Sequence, residues 1–474
     1  MKLILIYRIL GCAAVLIFSI LLDQAILFRT DVGVGIDGYY YILQVRTFLA
    51  HGSFYFPNHS PLILYLFSFL SLILGDPVSA IKAGACLLHA LLCFGIFSFL
   101  VSVTRSFWVG WGSWLIAAFS GLHFYLIGEF LDQLGSLVFL IWMLFAVSRF
   151  CQTRSKYYLL LSAILFTGAI FSHRSAVFLT ALLLFTGVCA YFFTAKNFAR
   201  KIFALVVFLA AFIFPLLAAS QPFYPLPDFL LAELSFYPKL PNPATLAENT
   251  MLAVVFLGTA ALLIIKPYRS ERNRTILSLL TGVFFSLLTA FNPFLQHSKG
   301  FLNITGRLDG LAYLTAALTA PLLIFLYWEK ARAIGVILIA VLIPALAWSF
   351  SRPLPPALTT EYLNSRRGLI EQLNEEKKNL CSRPLIVAAH GEQFLVTAVT
   401  GAPSQQEFPE AARPYECVYW LLKDPVDYED PKIKDTEYIL LDDENFRSRF
   451  GSGSSDEAKR WLYLNPGLRK ILKK

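Results

Sequence analysis

The sequence predicts an α-helical polytopic membrane protein, with about eleven transmembrane helices and a small C-terminal extracytoplasmic α/β domain. Three observations carry this. Of the 474 residues, 57% are hydrophobic and only 15% charged, against about 25% charged in a soluble domain. Apolar stretches of spanning length recur along most of the chain. The acids are also unevenly divided, with 12 Asp and Glu before residue 351 and 19 in the 124 residues from Ser351 onward. The chain thus reads as a membrane body, 1–350, and a polar domain, 351–474.

The body, with 22 Lys and Arg against its 12 acids, carries more than the whole net charge of +9. A membrane explains such a balance better than a nucleic-acid partner, and no nucleic acid is expected. The first apolar stretch, 4–28, is longer than a secretory h-region and lacks a small-residue cleavage site, so it reads as a retained helix. Further stretches follow at 80–103, 107–127, 131–150, 158–172, 175–195, 199–220, 249–266, 275–293, 308–328 and 332–350. A span needs about 20 residues, which makes 158–172 short.

Charge sets the topology. If 61–75 does not cross, the loops of one face carry 15 basic residues and the remainder of the body seven. The 15 include Lys2, Arg8, Arg105, Arg154, Lys201 and Arg272, and only Glu271 and Glu329 oppose them. That is the positive-inside pattern, with the N-terminus cytoplasmic and the C-terminal domain outside the cytoplasm of a plasma (cell inner) membrane. Letting 61–75 cross would invert every later loop, so it reads as a juxtamembrane or re-entrant helix within the outer loop 29–79.

Polar residues gather on the outer face. "GVGIDGYYYILQVRTFLAHGSF" opens that loop, with Asp37 placed to cap a helix that Gly52 ends. Helical spacing puts Asp37, Tyr40, Tyr41 and Gln44 on one stripe, a carboxylate beside aromatic rings. The tyrosines would serve equally as an interfacial belt. In "GEFLDQLGS", Glu129 and Asp132 are three apart and read as one helix face, where they would favour the helix N-terminus or hold a metal. "FSHRSA" places His173 and Arg174 in an outer turn, and Lys299 and Arg307 precede a late span. Such cations suit a phosphate or carboxylate, although snorkelling and counter-ion roles also account for them. No glycine-rich phosphate loop, HExxH, paired CxxC or GxSxG elbow is present.

Together these positions resemble the GT-C superfamily, multi-spanning glycosyltransferases that use polyprenyl-phosphate-linked sugars. Protein mannosyltransferases and aminoarabinose transferases are members. The resemblance covers 1 to about 350 in layout. It implies that Asp37 is the catalytic base or metal-site acid, and that "GEFLDQLGSLVFL" supplies the second acidic motif. "NHSPLILYLF" is similar to the segment leading the juxtamembrane helix, where His59 stands, and "GRLDGLAYL" offers Arg307 to the lipid phosphate. The implied activity is inverting transfer of a hexosyl or pentosyl group to a hydroxyl of a glycan, lipid or protein acceptor at the outer face, with membrane lipids as surroundings. In that reading Asp37, Glu129 and Asp132 are catalytic or bind a divalent cation (Mg or Mn). Arg307, Lys299, Arg174 and His173 bind donor phosphate; Tyr40, Tyr41 and His59 line the acceptor or sugar. The sequence has no WWD-type motif after its last span, which points away from transfer of a large glycan to asparagine.

The alternatives are a transporter or flippase of lipid-linked glycans, which would want charges deep within spans, and a polymerase. By sequence the charges stay at one face.

In the C-terminal domain, "PLIVAAH", "ECVYWLLK" and "EYILLDD" read as about three strands, with "HGEQF" opening a helix. Cys381 and Cys417 begin neighbouring segments and are expected to pair in an oxidising compartment. Reporter fusions at Arg105, Arg154, Lys201 and Arg272 should report cytoplasm, and fusions at Gly128 and in the C-terminal domain should report the outside. A cytoplasmic C-terminus would overturn the eleven-span arrangement.

Overall fold

Along the first helix, Ser19 and Asp23 face inward and many apolar side chains face outward. Val15, Ser19, Asp23 and Leu27 are four residues apart and form one stripe with no exposure. Ile9, Leu10, Ile17, Phe18 and Leu21 on the other faces are more than half exposed. A helix in water does the reverse. In lipid, outward apolar side chains cost nothing, and groups needing partners turn toward neighbouring helices.

The computed structural model describes residues 2–35, 37–56, 61–121, 123–173, 246–265, 276–281, 312–330, 332–351, 354–380, 382, 384–388, 391–405, 417–422 and 438–441. Its helices are α1 (Lys2–Leu27), α2 (Gly38–His51), α3 (Leu62–Leu74), α4 (Pro77–Thr104), α5 (Phe107–Phe119), α6 (His123–Glu129), α7 (Leu131–Thr153) and α8 (Lys156–Ser172). Then come α9 (Leu246–Ile265), α10 (Ala312–Lys330), α11 (Arg332–Phe350), α12 (Thr360–Glu376) and α13 (Glu392–Thr400). Two compact units result. One comprises Met1–Asp23, Ser60–Ile63 and Cys86–Pro353; the other comprises Gln24–His59, Leu64–Ala85 and Leu354–Lys474.

The first unit is helical. Among the described residues, four helices are long and apolar enough to cross a membrane: Ile9–Leu27, Pro77–Thr104, Leu131–Thr153 and Arg332–Phe350. They fall on the expected stretches 4–28, 80–103, 131–150 and 332–350. The apolar part of α10 is Leu314–Trp328, and α8 has 17 residues, both short for a span. The expected spans 175–195 and 199–220, and most of 275–293, lie outside the described residues. Small residues let the helices approach. A Cβ on Gly95 of α4 would stand 2.6 Å from Ile141 Cγ2 of α7, and Trp142 Nε1 donates to Leu91 O at 3.1 Å across the same crossing.

The expected span 107–127 is broken. Helix α5 stops at Phe119, Ser120 takes an extended conformation (φ −72°, ψ 126°), and α6 starts at His123. The freed backbone groups find partners: Gly121 N–H donates to Ser349 Oγ of α11 at 2.9 Å, and His123 N–H donates to Ser120 O at 3.1 Å. Irregular backbone at membrane depth persists where protein groups satisfy it in this way.

The second unit joins the outer loop to the C-terminal segment. Helix α3 has 13 residues, which reach about 20 Å against a hydrocarbon core of about 30 Å. It buries Leu64 and Phe67 and exposes Tyr65, Phe69, Leu72 and Ile73, so apolar side chains lie on both its packed and its exposed sides. Asp76 caps α4, accepting from Ser79 N–H at 2.7 Å, with Pro77 at the first helical position. The sheet is four-stranded and parallel, in the order β2-β1-β3-β4: β1 Pro384–Val387, β2 Ser404–Gln405, β3 Cys417–Leu422 and β4 Tyr438–Leu441. The three apolar runs read from sequence become β1, β3 and β4. Two-residue β2 is polar and gave no such signal. Cys417 opens β3 opposite Pro384 of neighbouring β1, while Cys381 lies outside the described residues.

Charge holds α12 and α13 together. Arg366, 3% exposed, meets Glu392 at 3.3 Å, donates to Tyr362 OH through Nε at 2.9 Å, and lies over the Tyr362 ring. The exposed Lys377 donates to Val399 O at 3.4 Å near the C-terminal end of α13, where a cation is favourable. Breaking a buried pair strands its partner. Arg366→Met should therefore lower the stability of this unit by about 3–5 kcal/mol, read as a reduced midpoint of unfolding. An unchanged midpoint would show that the pair is dispensable.

Candidate functional site

The loop before Asp37 is built on a close approach. A Cβ on Gly33 would come within 2.7 Å of Ile42 Cδ1 and 3.1 Å of the Tyr39 ring. Glycine therefore lets the strand-like segment lie against α2, where Gly33 N–H donates to Tyr39 OH at 3.3 Å. Burial pushes the Tyr39 phenol up, although the Gly33 bond works against it. Gly35 has φ 83°, a left-handed turn that brings the chain to Asp37.

Asp37 occupies the N-cap position of α2, as its sequence context predicts, yet its side chain makes no capping hydrogen bond. The residue is half-buried. Gly52 ends the helix in a left-handed conformation, φ 72°, with its N–H donating to Phe48 O at 2.8 Å.

The Asp37 stripe turns into the second unit. Gln44 is fully buried and clamps the returning chain, donating to Phe56 O at 3.3 Å and accepting from Phe56 N–H at 3.0 Å. Tyr41 is 4% exposed and meets Phe67 edge-on at 5.9 Å, so its ring is part of the packing. Tyr40 is half-buried among aromatics: its ring centroid lies 6.2 Å from Phe56 and 5.2 Å from Phe394.

Phe394 belongs to "HGEQF", which does open a helix, α13, and packs that helix on α2. Arg46 of α2 donates to Ala398 O at 3.3 Å. Asp31 pairs with Arg367 of α12, whose hydrogen bond holds the Asp31 carboxyl below its usual range. The C-terminal segment thus supplies part of the wall around Asp37's helix.

In the first unit, Glu129 and Asp132 do not share one helix. Glu129 is the last residue of α6 and Asp132 lies in the first turn of α7, separated by Phe130 at φ −121°, ψ 51°. The three-residue spacing therefore does not place them on one face. The aromatic residue between two apolar helical runs hid the break. Both acids are half-buried. His173 ends α8 in extended conformation, its N–H donating to Ala169 O at 3.1 Å. His59, Arg174, Lys299 and Arg307 lie outside the described residues.

The sequence reading missed a cluster in the helices. Asp23 of α1, His89 of α4 and His123 of α6 are each fully buried. His89 Nδ1 lies 2.7 Å from Asp23 Oδ2, and His123 Nε2 lies 3.1 Å from Asp23 Oδ1. The two imidazoles are parallel within 1° at 4.4 Å. Lys82 is also buried, in α4, and donates to Thr30 O at 2.5 Å. These groups are buried among protein side chains, a placement that the sequence reading did not single out. Spacing held a signal. Ser19 and Asp23, four apart, interrupt one face of α1, as His89 and Cys93 do on α4. Nothing in sequence says that these faces meet.

No family model and no curated protein matches the chain. Among solved structures it is similar to the crystal structure of the Archaeoglobus fulgidus oligosaccharyltransferase in complex with Zn and sulfate. The TM-score is 0.51 at 12% identity, over 82% of this chain. The fold resembles that of an oligosaccharyltransferase. The chain spans 62% of that protein's length. The likeness is one of fold.

Proposed function

We propose that this protein is an integral-membrane glycosyltransferase that transfers a sugar from a polyprenyl-phosphate-linked donor to an acceptor hydroxyl at the outer membrane face. The observation that carries the reading is the likeness of fold to an oligosaccharyltransferase over 82% of the chain. The missing WWD-type motif argues for a smaller transfer, to a hydroxyl of a glycan, lipid or protein.

In the reaction, Asp37 takes the proton from the acceptor hydroxyl as its oxygen forms a bond to the anomeric carbon. The bond from that carbon to the phosphate oxygen breaks, its electron pair leaves with polyprenyl phosphate, and direct displacement inverts the centre. Arg307, Lys299, Arg174 and His173 are the cations proposed to receive the charge growing on the phosphate. Tyr40 and His59 are proposed to line the sugar or acceptor, whereas buried Tyr41, read from sequence as part of the same wall, packs edge-on against Tyr40 and supports it. Glu129 and Asp132 are proposed as companion acids. The carboxylates of Asp37, Glu129 and Asp132 are the hard oxygen donors that Mg or Mn takes, and such an ion would supply positive charge to the leaving phosphate.

The runner-up, a transporter or flippase of lipid-linked glycans, gains from one observation: Asp23, Lys82, His89 and His123 lie buried in or beside the helices. Translocation of a labelled lipid-linked glycan across vesicles, without transfer, would favour it.

Asp37→Asn keeps the side chain's size and its N-cap preference but removes the base. The variant should fold and bind donor yet lose about 10²–10⁴-fold in transfer rate. Arg307→Ala should instead weaken donor binding, as the phosphate loses a charge-assisted partner. Transfer by Asp37→Asn at wild-type rate would remove Asp37 from the mechanism.

A further inference from the structure

One contact in the buried cluster sets a lone pair against a lone pair. His123 Nδ1 lies 2.6 Å from Ser120 O. A carbonyl oxygen only accepts, so this nitrogen carries the ring's proton. The other nitrogen, Nε2, then presents a lone pair to Asp23 Oδ1 at 3.1 Å. A carboxylate oxygen also offers only lone pairs. Two lone pairs at this distance repel unless something positive lies between them.

We propose that Asp23, His89 and His123 bind a borderline transition-metal dication of the zinc class, at a site separate from the proposed transfer chemistry. Each residue offers one ligand atom, and these atoms all lie within 4.8 Å of one another. A single extra proton would also answer the His123–Asp23 contact. With a proton there, His89 would donate Nδ1–H to the same carboxylate and accept from Cys93 S–H at 3.5 Å. With an ion, His89 would turn its Nδ1 lone pair to the metal and donate Nε2–H to Cys93, so metal content separates the two.

The donor chemistry selects the metal. Two imidazole nitrogens and one carboxylate suit zinc and its neighbours better than Mg or Ca, which take oxygen. Cys93 Sγ lies on the Nε2 side of the His89 ring, 3.5 Å away, where it would accept the second N–H of a metal-bound His89. The Ser120 carbonyl supplies what a metal-bound histidine usually has, an acceptor on its second N–H that fixes tautomer and ring orientation. Full burial of all three residues shuts the site off from solvent. The ion would fasten α1 to α4 and to the broken segment where α6 begins.

The test uses the full chain, purified in detergent without chelator. Metal analysis should find about one equivalent of zinc-class ion per chain, as a single site requires. The content should fall to background in Asp23→Asn and His123→Gln but persist in Asp37→Asn. Because the core variants are exposed to misfolding, wild-type protein is also stripped of metal and titrated with Co2+. It should develop a saturating visible d–d band at one equivalent, and Zn2+ should displace it.

Failure of stripped but folded wild-type protein to take up either ion would overturn the proposal and leave a shared proton at the contact. Metal that stays in both core variants and leaves in Asp37→Asn would place the ion at the outer carboxylates, which also overturns it. Neither result bears on the glycosyltransferase reading, which the transfer assay tests.

Discussion

The body is organised around a single carboxylate taken out of both water and lipid. Asp23 sits on the inward stripe of α1 with no exposure, and each of its oxygens faces an imidazole from a different helix. An isolated carboxylate in such surroundings is costly enough that it persists only with partners. Once α1 carries Asp23, His89 must be presented by α4 and His123 by the segment after α5. The polar contact therefore does what apolar burial cannot do among lipid-facing helices: it specifies which faces meet.

The break between α5 and α6 follows from that demand. His123 reaches Asp23 at the point where the helix has stopped, and its own ring holds the Ser120 carbonyl that the break releases. Ser349 of α11 takes the Gly121 N–H. A continuous helix over 107–127 would leave fewer backbone groups to satisfy. The broken one is tolerated because each freed group named here finds a protein partner.

The second unit is held by contacts of a different kind. Its polar contacts are long side chains reaching backbone carbonyls or opposite charges: Arg46 on Ala398, Lys377 on Val399, Arg367 on Asp31. Exposed contacts of this sort contribute little individually. The aromatic cluster of Tyr40, Phe56 and Phe394 and the buried Arg366–Glu392 pair give the unit its specific packing. Through them, the helix that starts at Asp37 is supported by residues more than 300 positions later in the chain. The C-terminal segment and the outer loop belong to one compact unit.

Sequence alone determined what depends on local order along the chain. Long apolar runs dictated the helices α1, α4, α7 and α11, because about 20 residues must satisfy their own backbone in lipid. Gly52 fixed the end of α2, since only a residue at ease with positive φ closes that turn, and β-rich runs fixed β1, β3 and β4. The position of Asp37 at the start of α2 was equally local.

Tertiary structure decided everything that required two distant segments to meet. The break at Phe130 separated Glu129 from Asp132, and the pairing of two polar β2 residues with β1 made a strand where no hydrophobic period existed. Most of all, Asp23, His89 and His123 converge across 100 residues of sequence. Each looked like an isolated polar residue in an apolar helix, because a helix period reports which way a side chain faces and not what waits there.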